Sequence, residues 1–301
     1  MKAIVVHEYG GPEVLKWEDF PDPVPTAGEI LVRLTATSVN PIDSKRRSGA
    51  VKAFAPIQFP GIVGVDLSGT VVGIGEGVSG FAIGDTVFGM GDSTYAELCV
   101  VKAASIAKIP AGLDPVDAAA LPLVLTTAYQ LVSAGAGVQA GQTVLVAGAA
   151  GSVGRAAVFA AKSNGAVVIA GVRKSQWAEA QALGADQVIA IDDDDAVAGL
   201  PLLDTVADAV GGATAQLLLG KVKPGGVFAT VLGPPANASE FPAVKVAPVF
   251  ATADAKILLD LAAAVQDGRL AIPITRRMPL ASAAEAQATP ASGKTVLVVR
   301  G

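Results

Sequence analysis

One cysteine, Cys99, and one histidine, His7, stand in a chain of 301 residues. The lone cysteine forbids an internal disulfide framework. Zinc sites take three or four ligands, drawn mostly from cysteine, histidine and carboxylates, so this composition argues against any metal centre of that kind. Charge is scarce too: charged residues make up 16% of the chain, and 22 Lys+Arg against 27 Asp+Glu leave a net charge of −5. No basic surplus is present to neutralise phosphates, which speaks against a nucleic-acid partner. Long apolar runs are also missing. Residues 118–154 carry no charge, but Pro122, Thr126, Thr127, Gln130, Gln139, Gln142 and several glycines break them up. No run of ~18 apolar residues remains to cross a bilayer, so no membrane partner is expected. The apolar stretch before His7 and Glu8 is too short for a signal peptide, and the expected location is cytoplasmic.

What is present is core-forming material. Hydrophobic residues make up 51% of the chain, and its length suits two domains at ~100–200 residues each. The first hundred residues read as β-rich: Ile30–Leu34 and Gly69–Gly75 are short, β-branched and bounded by Gly, Pro and Asp. The segment Pro21-Asp22-Pro23-Val24-Pro25 cannot lie inside a helix. From Asp114-Pro115, a cap followed by a first-turn proline, strand and helix alternate. Strands are expected at 143–147, 167–172, 188–191, 205–210 and 227–232. Helices are expected at 152–163, 176–183 and 213–222, with a turn at Pro224-Gly225-Gly226. Five strands with short helical crossovers describe a doubly wound parallel α/β sheet. A helix at 255–266 and a closing strand at 294–299 follow, and that strand needs a sheet to join.

The informative segment is Val144-Leu145-Val146-Ala147-Gly148-Ala149-Ala150-Gly151-Ser152-Val153-Gly154. Gly148 permits a sharp exit from the strand, Gly151 lets backbone approach a pyrophosphate, and Gly154 lets helix pack on strand. The helix N-terminus beyond offers free N–H groups, so Gly148, Ala149, Gly151, Ser152, Val153 and Gly154 are candidate cofactor-binding residues. A ligand-free strand–helix turn would use the same glycines. The flanking strand and helix, with four further strands, favour a dinucleotide. At the end of the second strand, where a carboxylate would hold the ribose hydroxyls of NAD, the chain reads Arg173-Lys174-Ser175. These three side chains suit a 2′-phosphate and point to NADP(H), although solvated charges at a helix start would look alike.

Further segments stand out in order along the chain: Met1-Lys2-Ala3-Ile4, Tyr9-Gly10-Gly11-Pro12-Glu13-Val14-Leu15, Asn40-Pro41-Ile42-Asp43 and Phe59-Pro60-Gly61. They continue through Gly64-Val65-Asp66-Leu67-Ser68-Gly69, Gly84-Asp85-Thr86-Val87-Phe88-Gly89, Leu125-Thr126-Thr127-Ala128-Tyr129, the glycine turn, Leu183-Gly184-Ala185-Asp186 and Gly293-Lys294-Thr295-Val296-Leu297. In these segments the chain resembles the zinc-free quinone oxidoreductase (zeta-crystallin-like) branch of the medium-chain dehydrogenase/reductase superfamily. The resemblance implies a GroES-like β domain (1–118 and 267–301) and a Rossmann cofactor-binding domain (119–266), with the active site in the cleft. Zinc-containing relatives have Gly-His-Glu where this chain has Gly64-Val65-Asp66, and a catalytic cysteine near Val39. The resemblance adds Asn40, Thr127, Val210, Leu232 and Gly233 to the cofactor set, with Asn40 also facing substrate. It implies a homodimer through the Rossmann sheet edge, for which Phe228–Val231 or Val244–Phe250 are candidates.

Without a Lewis acid, reducing an electron-poor acceptor is easier than oxidising an alcohol. A quinone or α,β-unsaturated ketone therefore fits as substrate, with donors stabilising the oxygen that gains charge. Candidate catalytic residues are Asn40 and Lys45. A turn residue before Pro41 is the lesser alternative for Asn40, while Lys45, which replaces a tyrosine common in the branch, could equally be a surface lysine. Ile191 replaces another common tyrosine on the adenosine side. A different dehydrogenase, an enoyl-thioester reductase and a non-catalytic NADPH-binding protein stay open. The run Asp192–Asp195 reads as a solvated helix start, Cys99 as core and His7 as surface.

The basic cluster makes a first prediction. Arg173→Asp is expected to weaken NADPH about tenfold or more while changing NADH much less, since a charge-assisted bond contributes ~1.5–3 kcal/mol. Fluorescence titration with both cofactors checks it, and equal losses would remove the assignment.

Overall fold

The computed structural model describes residues 1–289 and 291–299. Its contacts divide the chain into two compact units, Met1–Leu123 with Ala253–Gly301, and Val124–Thr252. The first unit begins with strands β1 (Lys2–Val6), β2 (Lys16–Asp19), β3 (Glu29–Ser38), β4 (Gly61–Ile62) and β5 (Asp66–Ile74). It continues with β6 (Thr86–Met90), β7 (Leu98–Lys102) and β8 (Ile106–Lys108), with helices α1 (Pro41–Arg47) and α2 (Pro115–Ala118) between and after them. Helix α3 (Pro122–Gln130) leads into the second unit.

Strand β3 organises the first unit. Its alternate residues Ile30, Val32, Leu34 and Ala36 are at most 1% exposed, the period of two that a half-buried strand requires. The first three pack with Leu67, Val71, Val87, Cys99 and Val101. The backbone of β3 pairs antiparallel with β5 and β7.

The second unit carries β9 (Thr143–Ala147), α4 (Ser152–Ser163), β10 (Val167–Val172), α5 (Trp177–Ala180), β11 (Gln187–Ala190) and α6 (Asp194–Ala198). Then come β12 (Leu203–Asp208), α7 (Gly212–Leu219), β13 (Val222–Thr230) and β14 (Lys245–Pro248). Among the described residues these strands form a parallel sheet in the order β11-β10-β9-β12-β13-β14. This is the doubly wound Rossmann order, reversing between β9 and β12. Buried strands make near-continuous apolar runs here: Val144, Leu145, Val146 and Ala147 are all 0% exposed. Helix α4 buries Gly154, Ala157, Val158 and Ala161, one stripe at helical spacing.

The chain closes with α8 (Ala255–Gln266), β15 (Ile274–Pro279), α9 (Ala283–Ala288) and β16 (Lys294–Val298). Strand β16 pairs antiparallel with β3, so the closing strand joins the N-terminal β unit as expected. The order of the larger sheet is β15-β16-β3-β5-β6-β8, with β7 on β3, and β2-β1-β4 form a smaller one.

Several expectations change. The divisions fall at 123/124 and 252/253, whereas 118/119 and 266/267 were expected, because α8 belongs to the β unit, where Gln266 donates to the Ala111 carbonyl. Strand β12 stops at Asp208, short of Val210, because the Asp208 carboxylate takes the Val210 and Gly211 N–H groups. Helix α7 stops at Leu219, short of Val222, where Gly220 follows. Pro224-Gly225-Gly226 is an irregular excursion inside β13, between the Leu203–Val222 and Thr205–Val227 pairs. Phe228–Val231 cannot be a sheet edge, since β13 lies between β12 and β14, which is the outer strand. Strand β14 lies inside the segment Val244–Phe250 offered as a sheet edge, whereas β15 has no counterpart among the expected strands. Among the described residues no helix is long and apolar enough to cross a membrane.

Phe228 is 0% exposed within the second unit's core. Phe228→Ala is expected to lower the stability of that unit by about 3–5 kcal/mol, the usual cost of an aromatic cavity. Urea unfolding followed by far-UV circular dichroism measures it.

Candidate functional site

Positive-φ glycines follow three neighbouring strands of the second unit at their carboxyl ends: Gly148 after β9, Gly211 and Gly212 after β12, and Gly233 after β13. Gly148 leaves β9 at φ 78°, and the N–H groups of Gly148 and Ala149 both donate to the Gly171 carbonyl, at 2.9 and 3.0 Å. The first bond into α4 is Arg155 N–H to Gly151 O at 2.9 Å. The N–H groups of Ser152, Val153 and Gly154 therefore have no acceptor within the helix, at its positive end. A Cβ on Gly154 would stand 2.0 Å from the Gly148 carbonyl oxygen, so helix and turn touch only because that atom is absent. A Cβ on Gly151 would meet only Gly148 O, at 3.2 Å, which leaves an open backbone cradle. The turn fits a pyrophosphate by geometry and by charge. It also lies at the sheet's switch point, where open α/β sheets bind ligands.

Arg173, Lys174 and Ser175 are exposed at the end of β10. The Lys174 N–H donates to Asp192 Oδ1 at 2.8 Å, and its ammonium meets Asp193 Oδ2 at 3.1 Å. That hydrogen bond holds the Asp193 carboxyl below the usual carboxylate range. The aspartate run thus leans on the basic cluster, a contact that no local pattern revealed. Asp193 also caps α6 by accepting from Ala196 N–H. Arg173 keeps a guanidinium with no ion-pair partner among the described residues, so it is the stronger phosphate candidate of the two cations.

On the other side of the turn stand Val210 and Leu232, 40% and 43% exposed, and Gly233 at φ 93°. A Cβ on Gly148 would lie 2.9 Å from Val210 Cγ2, so the glycine turn and the loop after β12 adjoin. Thr127 is 8% exposed in the middle of α3. Ile191 is 5% exposed and belongs to the core.

The first unit holds a buried polar network that sequence reasoning missed. Asn40 precedes α1, and its backbone N–H donates to Asp43 Oδ2 at 2.8 Å. Its Oδ1 accepts from Lys294 Nζ at 2.7 Å, and its Nδ2 donates to Asp66 Oδ2 at 2.8 Å. Lys294 Nζ also meets Asp66 Oδ2 at 3.2 Å, an ion pair with both side chains at most 5% exposed. Ser38 Oγ donates to the same oxygen, and Leu123 N–H donates to Asp66 Oδ1 at 2.7 Å. Asp66 and Lys294 lie in segments quoted for the family resemblance, but their pairing spans 228 positions. Lys45 is half-buried on α1 and does not join this network.

Asp43 is wholly buried, and its Oδ1 has no hydrogen-bond partner. Burial pushes its carboxyl up to about 7, with Asp66 adding to the effect. Tyr95 donates to Asp43 Oδ2 at 3.2 Å, and burial beside that carboxyl raises the phenol well above its ordinary value. His7 pairs with Glu18 at the surface, while burial pushes the Cys99 thiol up to about 12. Among the described residues no three His, Cys, Asp or Glu side chains gather as metal ligands.

Residues 26–111 match the alcohol dehydrogenase GroES-like domain, and residues 183–296 match the family described as zinc-binding dehydrogenase. A chloroplast envelope quinone oxidoreductase homolog from Arabidopsis thaliana is 36% identical over 201 residues, 63% of this chain and 60% of that protein. The match spans 50–60% of the length of this and similar curated relatives. The quinone oxidoreductase of Coxiella burnetii superposes with a TM-score of 0.87 at 30% identity, covering 100% of this chain and 99% of that one. A mycobacterial protein solved in complex with NADPH has a TM-score of 0.85 at 29% identity, covering 99% and 100%.

The buried Asp43 carboxyl sets a pH dependence. It holds its proton up to about pH 7 in the folded chain. Unfolded, it would release that proton near pH ~3.9. Its contribution to stability is therefore full below the unfolded value and declines as pH rises to about 7, by a few kcal/mol in all (roughly 1.4 kcal/mol per pH unit). Urea unfolding across that window is expected to show a flatter profile for Asp43→Asn than for the parent chain.

Proposed function

The chain belongs to the medium-chain dehydrogenase/reductase family, and we propose that it is an oxidoreductase that binds NADP(H) and reduces a quinone or an α,β-unsaturated carbonyl without zinc. The observation that carries this reading is the glycine turn on α4 beside a β10 terminus that bears Arg173 and no carboxylate. Free N–H groups of Ser152, Val153 and Gly154 would hold the pyrophosphate, and Arg173 with Ser175 the 2′-phosphate. NADPH supplies a hydride when bound. The chain's own residues then have to orient the acceptor and stabilise the oxygen that gains charge.

Asn40 and Lys45 are the donors proposed for that oxygen. Lys294 on Oδ1 and Asp66 on Nδ2 orient the Asn40 amide, and the remaining Nδ2–H makes only a long bond of 3.5 Å to Ser38 Oγ that an acceptor oxygen would displace. Lys45 offers an ammonium without an ion-pair partner among the described residues. Zinc independence rests on the donor set. Cys99 is buried, His7 is at the surface, and both oxygens of Asp66 accept hydrogen bonds, one of them from a lysine ammonium. An ammonium beside that carboxylate would repel a cation. Homodimer formation through the outer strand β14 is part of the same proposal.

Oxidation of NADPH and NADH is to be followed with an ortho-quinone and a simple enone in parallel. Turnover is expected with kcat/KM for NADPH at least about tenfold above NADH, a difference of ~1.4 kcal/mol. It should persist after dialysis against a chelator. NADPH binding with no turnover on either acceptor class would overturn the proposed reaction.

A further inference from the structure

We propose that Asp208, acting through Thr230, is a positioning residue for the nicotinamide half of the dinucleotide; this rests on the NADP(H) reading above. Asp208 is the last residue of β12 and is 0% exposed. Its Oδ1 accepts from the N–H groups of Val210 and Gly211 at 2.9 and 3.0 Å. Its Oδ2 accepts from Thr230 Oγ1 at 2.8 Å, and that hydroxyl oxygen accepts from Leu232 N–H at 3.1 Å. One carboxylate therefore ties together the loops that follow two neighbouring strands. The backbone reinforces it, with Val231 N–H donating to Asp208 O at 3.2 Å.

Sheet order says what those loops are for. The phosphate turn ends β9, the 2′-phosphate candidates end β10, and the order runs β10-β9-β12-β13. A dinucleotide carries its two nucleosides on opposite sides of the pyrophosphate. With adenosine over β10, the other nucleoside must lie over the ends of β12 and β13. The apolar side chains exposed there, Val210 and Leu232, sit on the two loops that Asp208 and Thr230 hold. The fit is close on each side. A Cβ on Gly148 would be 2.9 Å from Val210 Cγ2, and one on Gly211 would be 2.9 Å from Leu232 Cδ1. Gly211 and Gly212 both have positive φ, at 73° and 63°, and the Asp208 carboxylate helps to fix the first of them by accepting its N–H. Removing that carboxylate strands the Val210, Gly211 and Thr230 donors and frees both loops.

Two ligands separate positioning from general damage. NADPH spans both halves of the proposed site, whereas adenosine 2′,5′-bisphosphate occupies only the adenosine half. Titration calorimetry of the full chain is expected to show Asp208→Ala weakening NADPH about tenfold or more and the bisphosphate less than about twofold. Nicotinamide fluorescence enhancement should fall in parallel. Asp208→Asn keeps an oxygen for the two backbone donors and should restore NADPH affinity to within about threefold. Thr230→Val, nearly isosteric, provides a second route if Asp208→Ala does not fold, and should show the same selectivity to a smaller degree. Equal weakening of both ligands, or of neither, would overturn the inference while leaving NADP(H) binding in place. A parent chain that binds neither ligand would overturn the cofactor reading and this inference with it.

Discussion

The turn between β9 and α4 depends on a distance that only glycine allows. A methyl group at Gly154 would stand 2.0 Å from the Gly148 carbonyl oxygen, well inside van der Waals contact. Because the atom is missing, the first turn of α4 lies against the turn that leaves the strand. Unpaired N–H groups then face the carboxyl end of the sheet. The neighbours conform to that arrangement: Gly171 O receives two N–H groups from the turn, and Val210 fills the space beside Gly148. Close packing and an electropositive backbone are consequences of one steric condition.

The first unit solves a different problem, that of keeping charge inside a β structure. Asp66 and Lys294 are almost wholly buried, and a buried pair survives only if every lone pair and proton finds a partner. Leu123 N–H, Ser38 and the Asn40 amide supply those partners, and the Asn40 amide is locked in orientation as a result. Asp43 is the exception. One of its oxygens has no partner, and burial lifts its carboxyl to about 7. The hydrogen-bond partners of the two aspartates also differ: Asp66 meets an ammonium at 3.2 Å, and Asp43 a phenol and a backbone N–H.

Local pattern carried far where function needs local geometry. The glycine spacing, the alanine-rich helix and the basic residues ending the next strand all lie within about thirty positions of one another. Each meaning comes from its immediate backbone, so reading them required no knowledge of distant contacts. Helix α8 is recovered to the residue at both ends because Asp254 caps it and its apolar residues recur at helical spacing.

What failed to show in the sequence shares a physical origin. Strand β14 is a short part of the apolar segment 244–250, and its bounds are set by pairing with β13. Strand β12 ends where it does because a side chain competes for the backbone, and α8 joins the β unit through packing that its own pattern does not specify. The sequence by itself determined that a parallel α/β sheet would present a glycine turn backed by a helix N-terminus, because backbone freedom and helix polarity are local properties. Only the tertiary structure decided that Lys294 would meet Asp66 across 228 positions, or that Asp208 would join two loops. Those partners are chosen by sheet order and burial, and neither is written in the spacing of neighbouring residues.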